Sequence, residues 1–332
     1  MRTSSTRFLI LRFSSIGDIV LTTPVIRCLK QQYPGAEVHF CTKETYRSIV
    51  ADNPYIDKQF YLGKSLNELI GQLRAEKYDY IIDLHNNLRT RLIKLSLLGV
   101  KACTFEKLNW EKWLYVQLKI NTLPNVHIVD RYMATVQPLG VRNDGKGLDY
   151  FIPYKDIVEQ DWLPRTHQPG YVAYAIGGQH NTKKLPLPRM IELCRKINYP
   201  VVLLGGKEDA ENGDAIERAL GSQRIYNACG KYNLNQSASL LQQSKVVFSH
   251  DTGLMHIAAA LKKKIYSLWG NTTPLFGMYP YKTSYVILEN NALSCRPCSK
   301  LGYAECPLKH FKCMNELSFD FDIKELKQKQ NG

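Results

Sequence analysis

The chain reads as an α/β protein built from two Rossmann-like domains of parallel strands, and three observations predict this. Short apolar runs alternate with amphipathic helical stretches along most of its length, the pattern of successive βαβ units. The alternation breaks at 161–170, where Pro164, Pro169 and Gly170 fall together without periodicity, and then restarts. In the second half, FSHDTGLMHIAAAL (248–261) passes from an apolar strand through a tight turn into an alanine-rich helix. Backbone N–H groups at such a helix start, carrying roughly half a positive charge, form a ready cradle for phosphate.

In the first half, RFLILRF (7–13) is a buried strand. Residues 19–32 are helical, interrupted or restarted at Pro24 and stopped by YPG at 33–35; 38–42 is the next strand. Strands are predicted at 59–62, 80–83 and 101–104, with helices at 66–76, 88–98 and 128–139. After the break, strands fall at 171–176, 201–204, 246–248 and 265–268, and helices at 187–197, 209–220, 234–243 and 253–261. The amphipathic stretch 319–329 is expected to pack back on the body. The domains expected are 1–160, 161–316 (with a cysteine-rich segment at 295–313) and a terminal helix within 317–332, the two sheets facing across a cleft.

At 332 residues with 44% hydrophobic and 22% charged content, the chain can bury about three-quarters of its unfolded surface. The net charge of +14 points to an anionic partner. Basic residues are spread along the chain and no nucleic-acid motif accompanies them, so no nucleic acid is expected. No apolar run approaches the ~20 residues of a spanning helix. The N-terminus enters a strand without a secretory apolar region, so a cytoplasmic location is expected, with peripheral contact at the inner face of a membrane. Cys28, Cys41, Cys103, Cys194 and Cys229 are scattered and read as small core residues.

Ligands of open α/β sheets bind outside the carboxyl ends of strands, and the candidate site residues cluster there. After the first strand come Ser14, Ser15, Ile16, Gly17 and Asp18. Gly17 admits close backbone approach, and Asp18 reads either as a general base or as a cap on the helix start. After the first strand of the second half, Gly177 and Gly178 open a polar loop with Lys183 and Lys184. That loop suits an anion, or is an ordinary solvated loop. LGGKED (204–209) offers Glu208, as a ribose contact or as another helix cap. Asp251, Thr252, Gly253, Leu254 and His256 surround the predicted phosphate cradle. No Gly-x-Gly-x-x-Gly and no Gly-x4-Gly-Lys-Ser/Thr occurs, which argues against a dinucleotide cofactor and a P-loop. Cys295, Cys298, Cys306 and Cys313 lie within nineteen residues. They read as a structural zinc site, a labile disulfide or a metal-free cysteine-rich loop.

Together these motifs resemble the family 9 glycosyltransferases, the lipopolysaccharide heptosyltransferases. RFSSIGDIVLTTP (12–24) is similar to the family's N-terminal signature, GGQHNTKKLP (177–186) to its central loop, and DTGLMHIAAAL (251–261) to its donor-binding motif. LWGNTTP (268–274) extends the likeness, while Leu185 stands where an aromatic residue is common. The resemblance implies a GT-B fold with the donor held mainly by the C-terminal domain. It implies inverting, metal-independent transfer of heptose from ADP-heptose to an anionic lipid A–core acceptor in a Gram-negative-type bacterium, with no cofactor. It implies Asp18 as catalytic base and Lys183 as a catalytic contact to donor phosphate. Gly177, Gly178, Glu208, Asp251, Thr252, Gly253, Leu254 and His256 are then donor-side residues, and Ser14, Ser15 and Gly17 an acceptor-side loop. A relative using another nucleotide-sugar or glycan acceptor, or a non-catalytic paralogue that only binds nucleotide-sugar, would carry much the same signatures.

Overall fold

The computed structural model of the protein describes residues 5–327. It divides into two compact units, Met1–Leu108 with Val126–Phe151, and Asn109–Asn125 with Ile152–Gly332.

The first unit carries a five-stranded sheet of β1 (Thr6–Leu11), β2 (Ala36–Lys43), β3 (Lys58–Leu62), β4 (Tyr80–Asp83) and β5 (Lys101–Thr104). The strand order is β3-β2-β1-β4-β5, and every pair is parallel. Its helices up to β5 are α1 (Ile16–Val20), α2 (Thr23–Gln32), α3 (Arg47–Val50), α4 (Leu66–Ala75) and α5 (Leu88–Ser96). α6 (Asn109–Leu118) belongs to the second unit, and α7 (Ile128–Met133) returns to the first. Strands covered on both faces must be apolar throughout, and Phe8 to Leu11 are fully buried.

The helical stretch predicted at 19–32 with a restart at Pro24 is indeed two helices. The hydroxyls of Thr22 and Thr23 donate back to the carbonyls of Ile19 and Val20, both at 2.7 Å. Pro24 then sits in the first turn of α2, where its missing N–H costs nothing. The helix predicted at 128–139 ends at Met133; Pro138 starts a separate turn, Gln137–Leu139, closed by Gly140 at φ +81°.

The second unit carries six parallel strands: β6 (Val172–Ala175), β7 (Val201–Leu204), β8 (Ile225–Asn227), β9 (Val247–His250), β10 (Ile265–Trp269) and β11 (Tyr285–Glu289). The order is β11-β10-β9-β6-β7-β8. The remaining helices are α8 (Leu187–Ile197), α9 (Ala210–Leu220), α10 (Leu234–Gln243), α11 (Gly253–Ala260), α12 (Lys312–Asn315) and α13 (Lys324–Lys327). β8 and β11 escape the sequence pattern because they are edge strands with mixed burial. In both units the winding direction reverses beside the first strand, between β1 and β4 and between β6 and β9. These are the points where such sheets open a crevice for ligand.

The units part after Phe151, whereas the proline-glycine pattern placed the boundary at 160. Asp156 accepts from Asn233 at 2.9 Å and Asn235 at 3.1 Å, and the Val158 N–H donates to Ser239 at 3.0 Å, tying this stretch to α10. α6 joins the second unit through its own contacts. Tyr115 stands edge-on to Phe276 at 6.2 Å, and the Lys119 ammonium donates to the carbonyls of Cys295 (3.0 Å) and Pro297 (2.8 Å). Phe319 and Ile323 are buried, and Phe321 packs on Phe248, so the chain after α12 does pack back on its sheet. Within the described residues its helical part is only α13; the predicted helix at 319–329 ends outside them.

Candidate active site

The second unit's switch point gathers the charged residues of two loops. β6 leads through Ile176 into Gly177 and Gly178, and the chain then closes a short turn, Asn181–Lys183, through the Lys183 N–H to His180 carbonyl bond at 3.0 Å. That turn aims the Lys183 ammonium at the loop after β9, where it lies 2.6 Å from Asp251 Oδ2 and 3.4 Å from the Asp251 carbonyl. Thr272, after β10, donates its hydroxyl to the same carboxylate oxygen at 3.1 Å. Next in the chain, Thr252 is the N-cap of α11 in extended backbone, and its side chain makes no cap bond. The first turn of α11 therefore lacks the usual side-chain cap. Thr252, Gly253 and Leu254 are partly open to solvent. His256, one turn in, is 2% exposed, so it lies within the packed face of α11 rather than at its open end.

The glycines are set by close approach. A Cβ on Gly177 would stand 2.6 Å from Asp209 Oδ2, and one on Gly178 3.2 Å from Thr252 Cγ2. Asp209 is 1% exposed, accepts from the Gly206 N–H at 3.1 Å and lies 3.3 Å from the Lys184 ammonium. Asp209 thus takes the internal structural place after β7, while Glu208 beside it stays exposed. Leu185, in the position where an aromatic residue was expected, is buried, and its N–H donates to His250 Nε2 at 3.0 Å. That bond requires a neutral imidazole accepting at Nε2. Burial, reinforced by the Lys184 charge, holds the His250 pKa down at about 3.

A residue absent from the sequence reading ties these loops together. Arg296 is 9% exposed and donates to the carbonyls of Gly270 (2.6 Å), Thr272 (2.9 Å) and Asn290 (2.8 Å), with Glu289 as ion-pair partner at 2.8 Å. The Cys298 N–H donates to the Asn271 carbonyl at 2.9 Å. Tyr303 exchanges backbone bonds with Thr182, next to Lys183: its N–H donates to the Thr182 hydroxyl at 2.8 Å, and its carbonyl accepts the Thr182 N–H at 3.2 Å. The cysteine-rich segment is therefore a brace under the loops that carry Lys183 and Thr272. Its only sequence signal was the cysteine spacing. All nine cysteines are free thiols. Among the described residues no three His, Cys, Asp or Glu side chains are arranged to hold a metal ion, Cys295, Cys298, Cys306 and Cys313 included.

In the first unit, the turn after β1 is built around Asp18. Its Oδ2 accepts from the Ser15 N–H (3.1 Å) and hydroxyl (2.8 Å), and its Oδ1 lies 2.6 Å from the Arg12 guanidinium. Arg12, 8% exposed, also donates to the carbonyls of Ser14 (2.8 Å) and Leu84 (2.6 Å). Asp18 therefore caps α1, as one reading of the sequence held, and that arrangement fixes its carboxylate at the strand's carboxyl edge. Gly17 is buried in α1, and Ser15 is open to solvent. His85, after β4, was not picked out by sequence. Its Nδ1 accepts the Phe13 N–H at 3.0 Å, which leaves the ring proton on Nε2. Burial, with the charges of Arg12 and Lys107, pushes its pKa down to about 4. The buried Asp83 shapes this turn by accepting the N–H groups of His85 (3.1 Å) and Asn86 (2.7 Å).

Two doubly wound parallel α/β units are the architecture of the GT-B fold. The family described as glycosyltransferase family 9 (heptosyltransferase) matches residues 66–310, and the chain belongs to it. The protein is therefore a glycosyltransferase. Lipopolysaccharide core heptosyltransferase OpsX of Haemophilus influenzae is 26% identical over 96% of this chain and 95% of its own length. Among solved structures, the family 9 glycosyltransferase of Veillonella parvula superposes with a TM-score of 0.72 at 22% identity, covering 87% of each chain. The ADP-heptose lipopolysaccharide heptosyltransferase II of E. coli superposes with a TM-score of 0.67 at 20% identity, over 94% of this chain and 98% of that one.

Proposed function

We propose that the enzyme transfers a heptose from ADP-heptose to an anionic lipopolysaccharide inner-core acceptor at the inner face of the cytoplasmic membrane, with inversion and without a metal ion. The observation that carries this is the Lys183–Asp251 pair set beside the uncapped start of α11. A nucleoside diphosphate leaving group gains negative charge as the glycosidic bond breaks. An ammonium already held in place, together with helix N–H groups, stabilises that charge with little reorganisation. Lys183 has three donors; Asp251 orients the ammonium and leaves one for phosphate. The names of the relatives supply the sugar and the nucleotide. Glu208, exposed after β7, is the carboxylate we assign to the ribose hydroxyls.

On the acceptor side, Asp18 takes the proton of the attacking hydroxyl through its carboxylate as the bond to the anomeric carbon forms. Arg12 and Ser15 fix the orientation of that carboxylate. His85, protonated at Nε2, offers a donor at the same strand edge. The test is calorimetric titration with ADP, UDP and GDP, with and without magnesium, followed by turnover of ADP-heptose on a de-heptosylated core acceptor. Preferential, metal-independent ADP binding followed by transfer is the expected result. A preference for UDP or GDP would discard heptose, and a requirement for magnesium would discard the role given to Lys183.

A further inference from the structure

α5 has two apolar faces, and only one of them is packed. Thr90, Ile93 and Leu97 point into the first unit and are buried. Leu88, Leu92 and Leu95 recur at helical spacing on the opposite side, and Leu98 follows just beyond the last turn. They are 73%, 43%, 63% and 84% exposed. Four leucines open to solvent along one short helix form the kind of patch that soluble surfaces avoid unless something covers it.

The charge around the stripe says what covers it. From residue 84 to 104 the chain contains no Asp or Glu, but it contains Arg89, Arg91, Lys94 and Lys101. Lys94 is spoken for by the buried Asp83 at 2.9 Å. Arg89 and Arg91, interleaved with the leucines, have no ion-pair partner among the described residues. Arg89 also rims a cavity of about 340 Å³ at the carboxyl ends of β2 and β3, where Lys43 and Lys64 join it with Glu44 as the one acid. A helix lying in a membrane interface buries an apolar stripe while flanking cations meet anionic headgroups.

We propose that the leucine face of α5 is a membrane-docking surface, seated on a bilayer rich in anionic phospholipid, with Arg89 and Arg91 on the headgroups. This deepens the proposed membrane location by naming the surface, and it does not depend on which sugar is transferred. A soluble acidic protein would satisfy the cations but leave four leucines needing a matched groove; a bilayer needs none.

The test is co-sedimentation of the full chain with vesicles of phosphatidylethanolamine containing about 30% phosphatidylglycerol, against vesicles of phosphatidylcholine. Binding to the anionic vesicles is expected to fall about tenfold or more in Leu92→Glu/Leu95→Glu. Arg89→Gln/Arg91→Gln is expected to weaken it about fivefold per charge and to flatten its dependence on salt. ADP affinity, read by calorimetry, stays unchanged in both variants, which reports an intact fold and separates docking from the donor site. Equal binding by the leucine variant, equal binding to neutral vesicles, or no vesicle binding by the natural chain would overturn the proposal. So would light scattering showing that the natural chain is a dimer which the leucine variant splits, because the face would then belong to a second copy.

Discussion

The two strand-edge sites are assembled in opposite ways. In the first unit the carboxylate is held by its own turn: Ser15 and Asp18 are three residues apart, and Arg12 comes from the end of the same strand. In the second unit the lysine is held by residues from far along the chain. Asp251 lies 68 positions away, and the brace through Thr272, Arg296 and Tyr303 comes from beyond β10. A locally built site places one group rigidly and tolerates change elsewhere. A site built from three loops can close around a large, charged donor, but it inherits the stability of every loop. The division suits the proposed transfer chemistry, in which Asp18 would have one proton to take and the Lys183 side would grip a diphosphate through bond cleavage.

Asp18→Asn should show the largest effect on turnover, since it keeps an acceptor for the Ser15 N–H while removing the proposed proton sink and the charge paired with Arg12. Turnover should drop about a hundred- to ten-thousandfold, with ADP affinity within error of the natural enzyme by calorimetry. Loss of ADP binding in this variant would mean that the first unit's turn is not independent of the donor side. Lys183→Met should weaken ADP about ten- to a hundredfold, the worth of a hydrogen bond to a charged group. It should also cost about 3 kcal/mol in denaturant unfolding, because it leaves Asp251 poorly solvated without its partner. Adding Asp251→Asn should restore most of that stability and none of the ADP affinity. Recovery of both would reduce Lys183 to a structural ion pair.

Arg296→Lys sharpens the contrast further. Lysine cannot reproduce the guanidinium fork that spans the carbonyls of Gly270 and Thr272. The donor KM should rise about fivefold through displacement of Thr272 and Asp251, with kcat on saturating donor changed less than twofold. An equal fall in kcat alone would place Arg296 against the substrate instead. The last comparison concerns pH. His85 and His250 are neutral in the fold, with pKa values at about 4 and about 3 against the ordinary 6.5. The unfolded chain therefore binds protons that the folded one refuses as pH drops below 6.5. Stability is full above that pH and declines between 6.5 and about 4 for His85, continuing toward about 3 for His250, by up to about 1.4 kcal/mol per pH unit per group. Chemical unfolding across this range checks the slope, and His250→Asn should flatten its lower part.

Much of this was legible in the sequence wherever the determining neighbours are close along the chain. The turn after β1, the strand-to-helix passage into α11 and the alternation that builds two parallel sheets all follow from local pattern and burial period. The restart at Pro24 was legible as well, whereas α7 shows where local pattern runs short: the helix ends at Met133 and Pro138 sits in a separate turn, because a ring without an N–H fits a first turn and not an interior one. The sequence could offer Glu208 as a candidate after β7, but not that the neighbouring Asp209 is the one buried against Lys184. It could note the spacing of Cys295 and Cys298, but not that Arg296 between them braces the Thr272 loop. Nor could it assign α6 to the second unit or leave the leucines of α5 uncovered. Those outcomes depend on which surfaces meet after the chain has folded, and hydrogen-bond partners tens to hundreds of residues apart leave no periodic trace in the segments that carry them.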